Sequence, residues 1–366
     1  MEKKVAFLAC STGWGGLEMH IVKLHQWLSQ RNNKVLLFTS SASALAGKKE
    51  EINAQPIVIP RKGKYFDIIN AFLFSKRLKR EGVKTVILFA NQDLDFIFFT
   101  KLFYRDLKII YQQHMQIGIA KKDWLHTLRF MAIDLWITPL ERLKEEVISR
   151  TNFDRQKIVV QPLGVEPVSL QRRERKKHSP VTQRTLHLGI IGRIDEGKGQ
   201  LFVLHCLRLL KEKGFNIHLT VTGSPTIDDP SALEYEQKLL DFVQDAGLSA
   251  HVTFQHHQSN SDEFFDKTDI CVLASRSETF GLVAIEAMLR EVIVMAPDSG
   301  NTIEILDYGK LGIIYRYGDQ EDFCQKVLSY IDHEDDYQKM ITHALQCARE
   351  KFNPKKECTL FEDHMI

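Results

Sequence analysis

Short runs of β-branched and aromatic residues alternate with stretches of helical length along the chain. In the amino-terminal half the apolar runs predict strands, and the stretches between them, apolar at every third or fourth position, predict helices. The predicted strands are Val5–Cys10, Lys34–Thr39, Thr85–Phe89, Lys108–Gln112, Asp134–Thr138 and Lys157–Gln161. The predicted helices lie near 17–30, 67–81, 94–104, 122–132 and 140–150. This order favours a parallel sheet covered by helices.

The same alternation recurs in the carboxy-terminal half. The predicted strands are Leu186–Ile191, Ile217–Thr222, Val252–Gln255, Ile270–Ala274, Val292–Ala296 and Gly312–Tyr315. The predicted helices lie near 199–213, 231–246, 260–266, 281–290, 320–331 and 335–350. Two successive series of this kind predict an α/β protein with two Rossmann-like domains in tandem.

The domain boundaries follow from the break in this pattern. We expect a first domain at 1–165, a linker at 166–185, a second domain at 186–350 and a helical tail at 351–366 that could pack back on the first domain. The linker contains the basic run 172–178, which favours an exposed connection over a site for a membrane or nucleic acid.

Composition narrows the class of protein. The 366 residues, 44% of them apolar, suffice for two ordinary cores. The six cysteines have no paired spacing, which favours a reducing, cytoplasmic compartment. The apolar run Val5–Cys10 is too short for a signal peptide. No uncharged apolar run approaches the ~20 residues of a membrane-spanning helix, so any membrane contact would be peripheral, at the inner face.

The charge is divided unevenly between the halves. Residues 1–165 hold 26 basic and 15 acidic residues, a net of +11, and the remainder holds 23 and 32, a net of −9. A basic first half suits an anionic partner, such as lipid head groups or a phosphate-bearing acceptor. Cations such as those at 76–80 could equally solvate a helix face. Nucleic acid is disfavoured, because the basic residues form no recognised nucleic-acid motif.

Aromatic residues beside these cations leave two alternatives. Phe96-Ile97-Phe98-Phe99 and Leu102-Phe103-Tyr104, flanked by Lys101 and Arg105, could pack in the core or form a face that dips into a membrane. Core packing is the more common use of such a stretch.

A glycine-rich turn follows the first predicted strand and opens a helix. Gly15 and Gly16 within Ser11–His20 would allow a ligand to approach the backbone and the N–H groups of the helix terminus. The segment lacks the third glycine of the Gly-x-Gly-x-x-Gly dinucleotide pattern, which disfavours a nicotinamide dehydrogenase.

A second turn, Gly189–Gly199, follows the first strand of the second domain. It carries Arg193 and Lys198 five positions apart, so the two cations could converge on a diphosphate and stabilise the charge that grows on it. The alternative is two ordinary surface cations on a turn.

A third turn, Phe280-Gly281-Leu282, lies between Glu278 and Glu286. The glycine at a loop-to-helix junction exposes N–H groups to an anion. At ~1.5 Å per residue, Glu286 lies about 8 Å further along the helix, roughly the span from a diphosphate to its ribose. The segment therefore suits a nucleotide sugar.

Together these motifs resemble the retaining family-4 glycosyltransferases of GT-B fold, the glycosyl transferases group 1. That family has Gly-Arg-x4-Lys-Gly and then Ser-Glu-x-Phe-Gly-x4-Glu-Ala-Met, and this chain has both, at Gly192–Gly199 and Ser277–Met288. The likeness extends to Gly15-Gly16-x-Glu-x-His, to Gln161–Val165 and to Ser299-Gly300 with Glu304. It covers nearly the whole chain. The chain departs from the family at Glu291–Ile293 and at Asn301, which bears on the choice of donor.

The resemblance implies two Rossmann-like domains whose parallel sheets face across a cleft, where the donor binds. Arg193 and Lys198 would hold the diphosphate with the Gly281 and Leu282 amides, Glu286 would bind the ribose, and Glu278 would lie beside the transferred sugar. The implied donor-binding set is Gly15, Gly16, Arg193, Lys198, Glu278, Thr279, Phe280, Gly281, Leu282 and Glu286.

The resemblance also implies a role for His114, which follows a predicted strand where the family often has a histidine near the reacting centre. A structural histidine is the alternative at such a position. The implied catalytic residues are Arg193, Lys198, Glu278 and His114.

We expect neither a metal nor a cofactor. His256-His257 and the cysteines lack the spacing of metal ligands. Asp93-Leu94-Asp95 matches an Asp-x-Asp metal motif, but it opens a predicted helix, where carboxylates favour the helix dipole.

These expectations combine into a retaining glycosyltransferase. It would move a sugar from a UDP- or GDP-sugar to a hydroxyl of a glycan or lipid-linked glycan in cell-surface polysaccharide or glycoconjugate synthesis. The alternatives are a nucleotide-sugar epimerase or a phosphorylase of the same fold, and a catalytically silent sugar-nucleotide or glycan-binding subunit.

Overall fold

The computed structural model describes residues 3–61, 66–166, 184–226, 229–255 and 261–366. The chain divides into two compact units. Unit 1 comprises Met1–Gly164 and Phe352–Ile366, and unit 2 comprises Val165–Lys351. Most of the expected linker, 167–183, lies outside the described residues, as do His256 and His257.

Unit 1 is built on a seven-stranded parallel sheet. Its strands are β1 Lys4–Leu8, β2 Lys34–Thr39, β3 Ile57–Val58, β4 Thr85–Leu88, β5 Lys108–Gln112, β6 Leu135–Thr138 and β7 Ile158–Val160. They lie in the order β3-β2-β1-β4-β5-β6-β7. The direction of the strand order reverses between β1 and β4, so the loops after these two strands diverge and leave a crevice at the carboxyl edge of the sheet.

Six helices follow these strands along the chain: α1 Gly16–Gln30, α2 Lys49–Ile52, α3 Ile68–Glu81, α4 Leu94–Phe103, α5 Trp124–Phe130 and α6 Glu141–Arg150. One core layer joins α1 to the sheet through Ile21, Leu24 and Leu28. The opposite layer joins α3 and α4 to it through residues such as Phe74 and Phe96. Both faces of the sheet are therefore covered, as its nearly continuous apolar strands require.

Unit 2 has a six-stranded parallel sheet. Its strands are β8 Leu186–Ile191, β9 Ile217–Thr222, β10 Val252–Gln255, β11 Ile270–Val272, β12 Ile293–Pro297 and β13 Ile313–Tyr315. They lie in the order β10-β9-β8-β11-β12-β13, so the reversal falls between β8 and β11. The helices are α7 Gln200–Glu212, α8 Pro230–Asp245, α9 Asp262–Lys267, α10 Leu282–Leu289, α11 Thr302–Ile305, α12 Gln320–Asp332 and α13 Glu334–Lys351.

The last helix, α14 Pro354–His364, belongs to unit 1. Asn353 caps it, since its side chain accepts a hydrogen bond from the Lys355 amide. Cys358 and Phe361 are buried in the same core layer as Phe7 of β1. Unit 1 is thus completed by residues that follow unit 2 in the sequence.

The predicted α/β fold with two parallel sheets is confirmed. The ends of the predicted strands and helices differ from the observed ones by at most about two residues. Three short elements were not predicted, β3, α2 and α11. In the described ranges, no helix is both long enough and apolar enough to cross a membrane.

Candidate functional site

The turn between β8 and α7 carries Arg193 and Lys198. Lys198 ends a short 3-10 helix, and Gly199 follows it with φ +72°. A Cβ atom on Gly199 would lie 2.5 Å from the carbonyl oxygen of Ala274, just beyond β11. Only glycine allows this approach. The cation-bearing turn is therefore held against the end of β11, at the reversal point of the sheet.

The turn between β11 and α10 carries the predicted carboxylate and glycine. Gly281 is the N-cap of α10, with φ +76° and no side chain to occupy the helix terminus. The adjacent Gly300, with φ +72°, lies against this turn, because a Cβ atom there would be 2.9 Å from the Glu278 amide nitrogen. Asn301 also holds this turn in place. Its backbone N–H donates to the Glu278 carbonyl over 3.1 Å, and its side-chain amide donates to the Thr279 carbonyl over 3.0 Å.

The structure brings Lys198 and Glu278 together. The Lys198 Nζ atom lies 2.9 Å from Glu278 Oε2, and the side chains are 30% and 22% exposed. The sequence predicted each residue for the site but not their contact. An anion that binds Lys198 would have to compete with this carboxylate or share the ammonium with it.

Arg193 lies on the same turn with its side chain in solvent. The side chain is 62% exposed, and its Nε atom lies 3.9 Å from Asp195 Oδ2. Its backbone is held in place by the buried Gln200, whose side-chain amide donates a 2.8 Å hydrogen bond to the Arg193 carbonyl. Gln200 was not predicted for the site. In the sequence, only the position of Gln200 directly after Lys198 and Gly199 connects this residue with the candidate site.

The remaining predicted donor residues lie on or beside α10. Phe280 is buried, whereas Thr279 and Leu282 are partly exposed. Glu286 is partly exposed and lies near the buried Cys271, whose thiol pKa is raised by burial and further by this carboxylate. The two turns and α10 thus gather Lys198, Glu278 and the free helix terminus at one edge of unit 2.

In unit 1, Gly15 is the N-cap of α1 and Gly16 is its first residue. Gly15 has extended backbone angles, which any residue can adopt. The buried Glu18 in the first turn of α1 accepts a hydrogen bond of 2.5 Å from the Ser11 hydroxyl. This contact holds the loop after β1 against the start of the helix.

His114, just beyond β5 and partly buried, belongs to a hydrogen-bond network that reaches into the core of unit 1. Its ring centroid lies 5.3 Å from that of His20, and its Nε2 atom lies 3.3 Å from Gln112 Oε1. Burial, and secondarily His20, lowers the pKa of His114 well below its usual value. Glu357 of α14 contacts both His20 and Gln112. No motif in the sequence marks Glu357, which lies in the carboxy-terminal tail.

The Asp93-Leu94-Asp95 segment has a structural use. Asp93 is buried and forms an ion pair with Arg61, with 2.6 Å between Asp93 Oδ1 and Arg61 Nη1. Asp95 forms an ion pair with Arg129. Among the described residues, no three His, Cys, Asp or Glu side chains cluster as metal ligands would. All six cysteines are free thiols.

Of the aromatic stretch, Phe96 and Ile97 are buried in the core of unit 1. Leu102 and Phe103 are exposed to 56% and 37%. The stretch therefore begins in the core of unit 1 and ends on its surface.

Two family models match the chain. Glycosyltransferase Family 4 matches residues 14–168, and Glycosyl transferases group 1 matches residues 171–346. A capsular polysaccharide biosynthesis glycosyltransferase, CapM of Staphylococcus aureus, is 26% identical over 212 residues, which cover 56% of this chain and 54% of that protein. The chain spans 54% to 60% of the length of the first curated relatives that it matches.

Solved structures share the fold at low identity. A glycosyltransferase from Rickettsia africae has a TM-score of 0.84 at 15% identity, with 99% of this chain and 97% of that chain covered. Anabaena Alr3699/HepE in complex with UDP and glucose has a TM-score of 0.80 at 15% identity, with 99% of each chain covered. The chain therefore belongs to the family-4 glycosyltransferases of GT-B fold, and the resemblance found in its motifs is confirmed.

Proposed function

We propose that the protein is a retaining glycosyltransferase that moves a sugar from a nucleotide diphosphate donor to a hydroxyl group of a glycan or a lipid-linked glycan. The observation that carries this proposal is the convergence, at the reversal point of the unit 2 sheet, of a cationic turn with a glycine-capped helix terminus. Lys198 and the N-terminus of α10 supply positive charge there, and Glu278 supplies the hydrogen-bond acceptor that a sugar requires.

The donor diphosphate would bind to Lys198, Arg193 and the amides of Gly281 and Leu282. As the bond between the sugar and the phosphate breaks, negative charge grows on the leaving diphosphate. The cations and N–H groups that contact the diphosphate would then stabilise the transition state more than the ground state. Arg193 suits this role because its exposed guanidinium is free to turn onto a ligand while Gln200 holds its backbone.

The ion pair between Lys198 and Glu278 would rearrange when the donor binds. Lys198 would turn to the diphosphate, and Glu278 would accept hydrogen bonds from sugar hydroxyls. Before the donor binds, the ion pair already restrains both side chains. Donor binding would therefore lose less side-chain entropy than if the two side chains moved freely in solvent. Glu286, further along α10, would accept hydrogen bonds from the ribose hydroxyls, and His114 of unit 1 would contact a substrate hydroxyl.

The transfer itself would proceed on one face of the sugar. The acceptor oxygen bonds to the anomeric carbon as the bond to phosphate breaks, and the departing phosphate oxygen takes the acceptor proton. Glu278, already paired with Lys198, is assigned to binding the sugar and not to covalent attack. This scheme needs no metal.

The likeness to CapM supports a place in capsular or other cell-surface polysaccharide synthesis, and the UDP-bound neighbour supports UDP as the donor nucleotide. We propose a cytoplasmic enzyme that contacts the inner face of the membrane. The free cysteines and the basic first half support this placement.

A specific surface of unit 1 supports the membrane contact. On α3, Ile69, Phe72 and Leu73 are exposed at helical spacing, to 71%, 38% and 51%. Phe103 of α4 extends this surface, since its ring centroid lies 5.1 Å from that of Phe72. The Lys76 ammonium lies 4.4 Å from the centre of the Phe72 ring. Apolar side chains bordered by cations suit an anionic lipid surface.

Ligand binding tests the proposal first. A screen of UDP, GDP and ADP by thermal shift should show one preferred nucleotide, because a ligand of the native state raises the melting temperature. Release of that nucleotide from its sugar donors is then measured with and without acceptor glycans. Acceptor-dependent release with a retained anomeric configuration supports the transferase. Isomerised donor without acceptor indicates an epimerase, a requirement for inorganic phosphate indicates a phosphorylase, and binding without turnover indicates a silent subunit.

A further inference from the structure

Glu357 is a fully buried carboxylate at the centre of a hydrogen-bond network in unit 1. It lies on α14 and is 0% exposed. Its Oε2 atom accepts a 2.6 Å hydrogen bond from the Gly164 amide. Its Oε1 atom lies 2.9 Å from His20 Nε2 and 2.5 Å from Gln112 Nε2. Three polar groups, far apart in the sequence, thus converge on one side chain.

The direction of these hydrogen bonds follows from the chemistry of the groups. An ionised carboxylate only accepts, and a backbone amide only donates. The Glu357 carboxylate is therefore satisfied when His20 donates from Nε2 and Gln112 donates from its amide nitrogen. The opposite orientation of the Gln112 amide would place two oxygens 2.5 Å apart.

The orientation of the Gln112 side-chain amide determines which ring nitrogen of His114 carries the proton. With its nitrogen turned to Glu357, Gln112 presents Oε1 to His114 Nε2 at 3.3 Å. This oxygen only accepts, so the bond requires a proton on His114 Nε2. His114 Nδ1 then carries the lone pair. The second nitrogen of a neutral imidazole is an acceptor in this tautomer and a donor in the other.

His114 is neutral near pH 7, because burial and the adjacent His20 lower its pKa well below the usual value. A neutral ring has two tautomers, and without a fixed partner it would populate both. The tautomer of His114 is thus a property that the surrounding network selects.

We propose that Glu357 is a positioning residue that acts through Gln112 to hold His114 in the Nε2–H tautomer and in a single orientation. The tail helix α14 then sets the hydrogen-bonding character of a histidine after β5. The assignment of tautomer stands on the network alone, and only its consequence for turnover rests on the proposed function.

A purely structural role for Glu357 is the competing explanation. The Gly164 contact and the close approach of Pro354 to Gly164 already anchor the tail. In that case the loss of Glu357 would lower stability and leave His114 unchanged. Glu362, on the same helix, provides the matched control: it accepts hydrogen bonds from Arg31 Nη2 at 2.6 Å and Asn33 Nδ2 at 2.7 Å, whereas His114 contacts Gln112 and His20.

The tautomer is measured on the full-length protein labelled with 15N at histidine. Long-range proton–nitrogen spectra, assigned with His114→Asn and His20→Asn, should show His114 protonated at Nε2 in the wild type. Glu357→Gln should move the two His114 nitrogen shifts toward each other, as tautomers exchange, and Glu362→Gln should leave them in place. An Nδ1–H tautomer in the wild type, or unchanged shifts in Glu357→Gln, would overturn the proposal.

Gln112→Met gives a second test that keeps the tail anchored, since His20 and Gly164 still bind Glu357. It should release the His114 tautomer as Glu357→Gln does. Unchanged His114 shifts in this variant would contradict the relay, even if Glu357→Gln does not fold.

Turnover supplies the functional readout. Glu357→Gln should lower kcat about tenfold or more, with KM for the donor within about twofold, whereas Glu362→Gln should match the wild type. In a His114→Ala background, Glu357→Gln should have no further effect on kcat, because it acts through the missing ring. An equal loss in both backgrounds would show that Glu357 acts elsewhere. If the wild type itself transfers no sugar, the proposed function fails while the tautomer measurement still decides this inference.

Discussion

Lys198 and Glu278 form an ion pair across two separate turns of unit 2, with 2.9 Å between Nζ and Oε2, although 80 positions separate them in the sequence. Two motifs that appear independent in the sequence are therefore one charged unit in the fold. This contact sets the expected effects of the first two substitutions.

Lys198→Ala should lower kcat by about 10²- to 10³-fold, because it removes a cation from the leaving diphosphate. Folding should be intact, since the side chain is partly exposed. Steady-state kinetics and circular dichroism check both. Lys267→Ala is the matched control: it breaks a comparable 2.7 Å ion pair with Glu263 on the surface of unit 2. Near-normal turnover of Lys198→Ala would sink the assignment.

Glu278→Gln should separate binding of the nucleotide from transfer of the sugar. Without the carboxylate, Lys198 is released to the diphosphate, so UDP or GDP should bind as tightly as before or more tightly. Sugar transfer should fall, since the acceptor for the sugar hydroxyls is weakened. Calorimetry and kinetics give the two values. Weaker nucleotide binding would instead place Glu278 at the nucleotide.

Gly300→Ala should impair turnover by displacing Glu278, because the added Cβ would lie 2.9 Å from the Glu278 amide nitrogen. Gly318→Ala is matched in backbone strain, with φ +76° against +72°, but its Cβ would point into open space. Both should lose roughly 1–2 kcal/mol of stability from the left-handed conformation. Only Gly300→Ala should lose activity, and equal activities would contradict the placement of this turn.

The stability of unit 1 should fall on acidification. Burial lowers the pKa of His25, and the hydrogen bond to the Val35 carbonyl offsets this only in part. Burial, and secondarily His20, lowers the pKa of His114. Below about pH 6.5 the unfolded chain binds protons that the folded unit does not, so stability drops by up to about 1.4 kcal/mol per pH unit for each histidine.

Urea unfolding followed by tryptophan fluorescence measures this slope, because all four tryptophans, at 14, 27, 124 and 136, lie in unit 1. Replacing His25 and His114 together with Gln should flatten the dependence between pH 5 and 6.5. An unchanged slope would show that other groups govern it.

Leu73→Glu should weaken binding to anionic vesicles, as it places a negative charge on the exposed apolar surface of α3. Wild-type binding should fall as salt increases, because the flanking lysines are screened. Co-sedimentation with vesicles of phosphatidylglycerol and phosphatidylcholine checks both. Leu240→Glu, at a leucine of unit 2 that is 42% exposed against 51% for Leu73, is the control. Equal binding to neutral vesicles would contradict the attraction to anionic lipid, and no binding to either kind of vesicle would remove the membrane contact.

Much of the fold could be predicted because its strands are short, nearly continuous apolar runs separated by amphipathic helices. The misses are physically explicable. β3 has two residues, and α2 and α11 have four each, too few to show a period. The structure places Gly281, Lys198 and Arg193 on the turns where the local sequence predicts them, and their roles in donor binding stay predictions.

The contacts within the site could not be predicted in the same way. Glu357 meets Gln112 across 245 positions and His20 across 337, and no local pattern marks such a partner. Asn301 departs from the family pattern, yet it pins the Glu278 turn through two hydrogen bonds. These residues are visible only once the sheets have brought distant segments together.

The return of α14 to unit 1 has a consequence for biosynthesis. Phe361 and Cys358 fill a core layer whose other members, such as Phe7 and Leu24, emerge from the ribosome first. At roughly 5–20 residues per second, the intervening Val165–Lys351 takes on the order of 10–40 s to translate. Until α14 has been made, unit 1 lacks the two side chains that complete this layer, so its core cannot close before unit 2 has been synthesised.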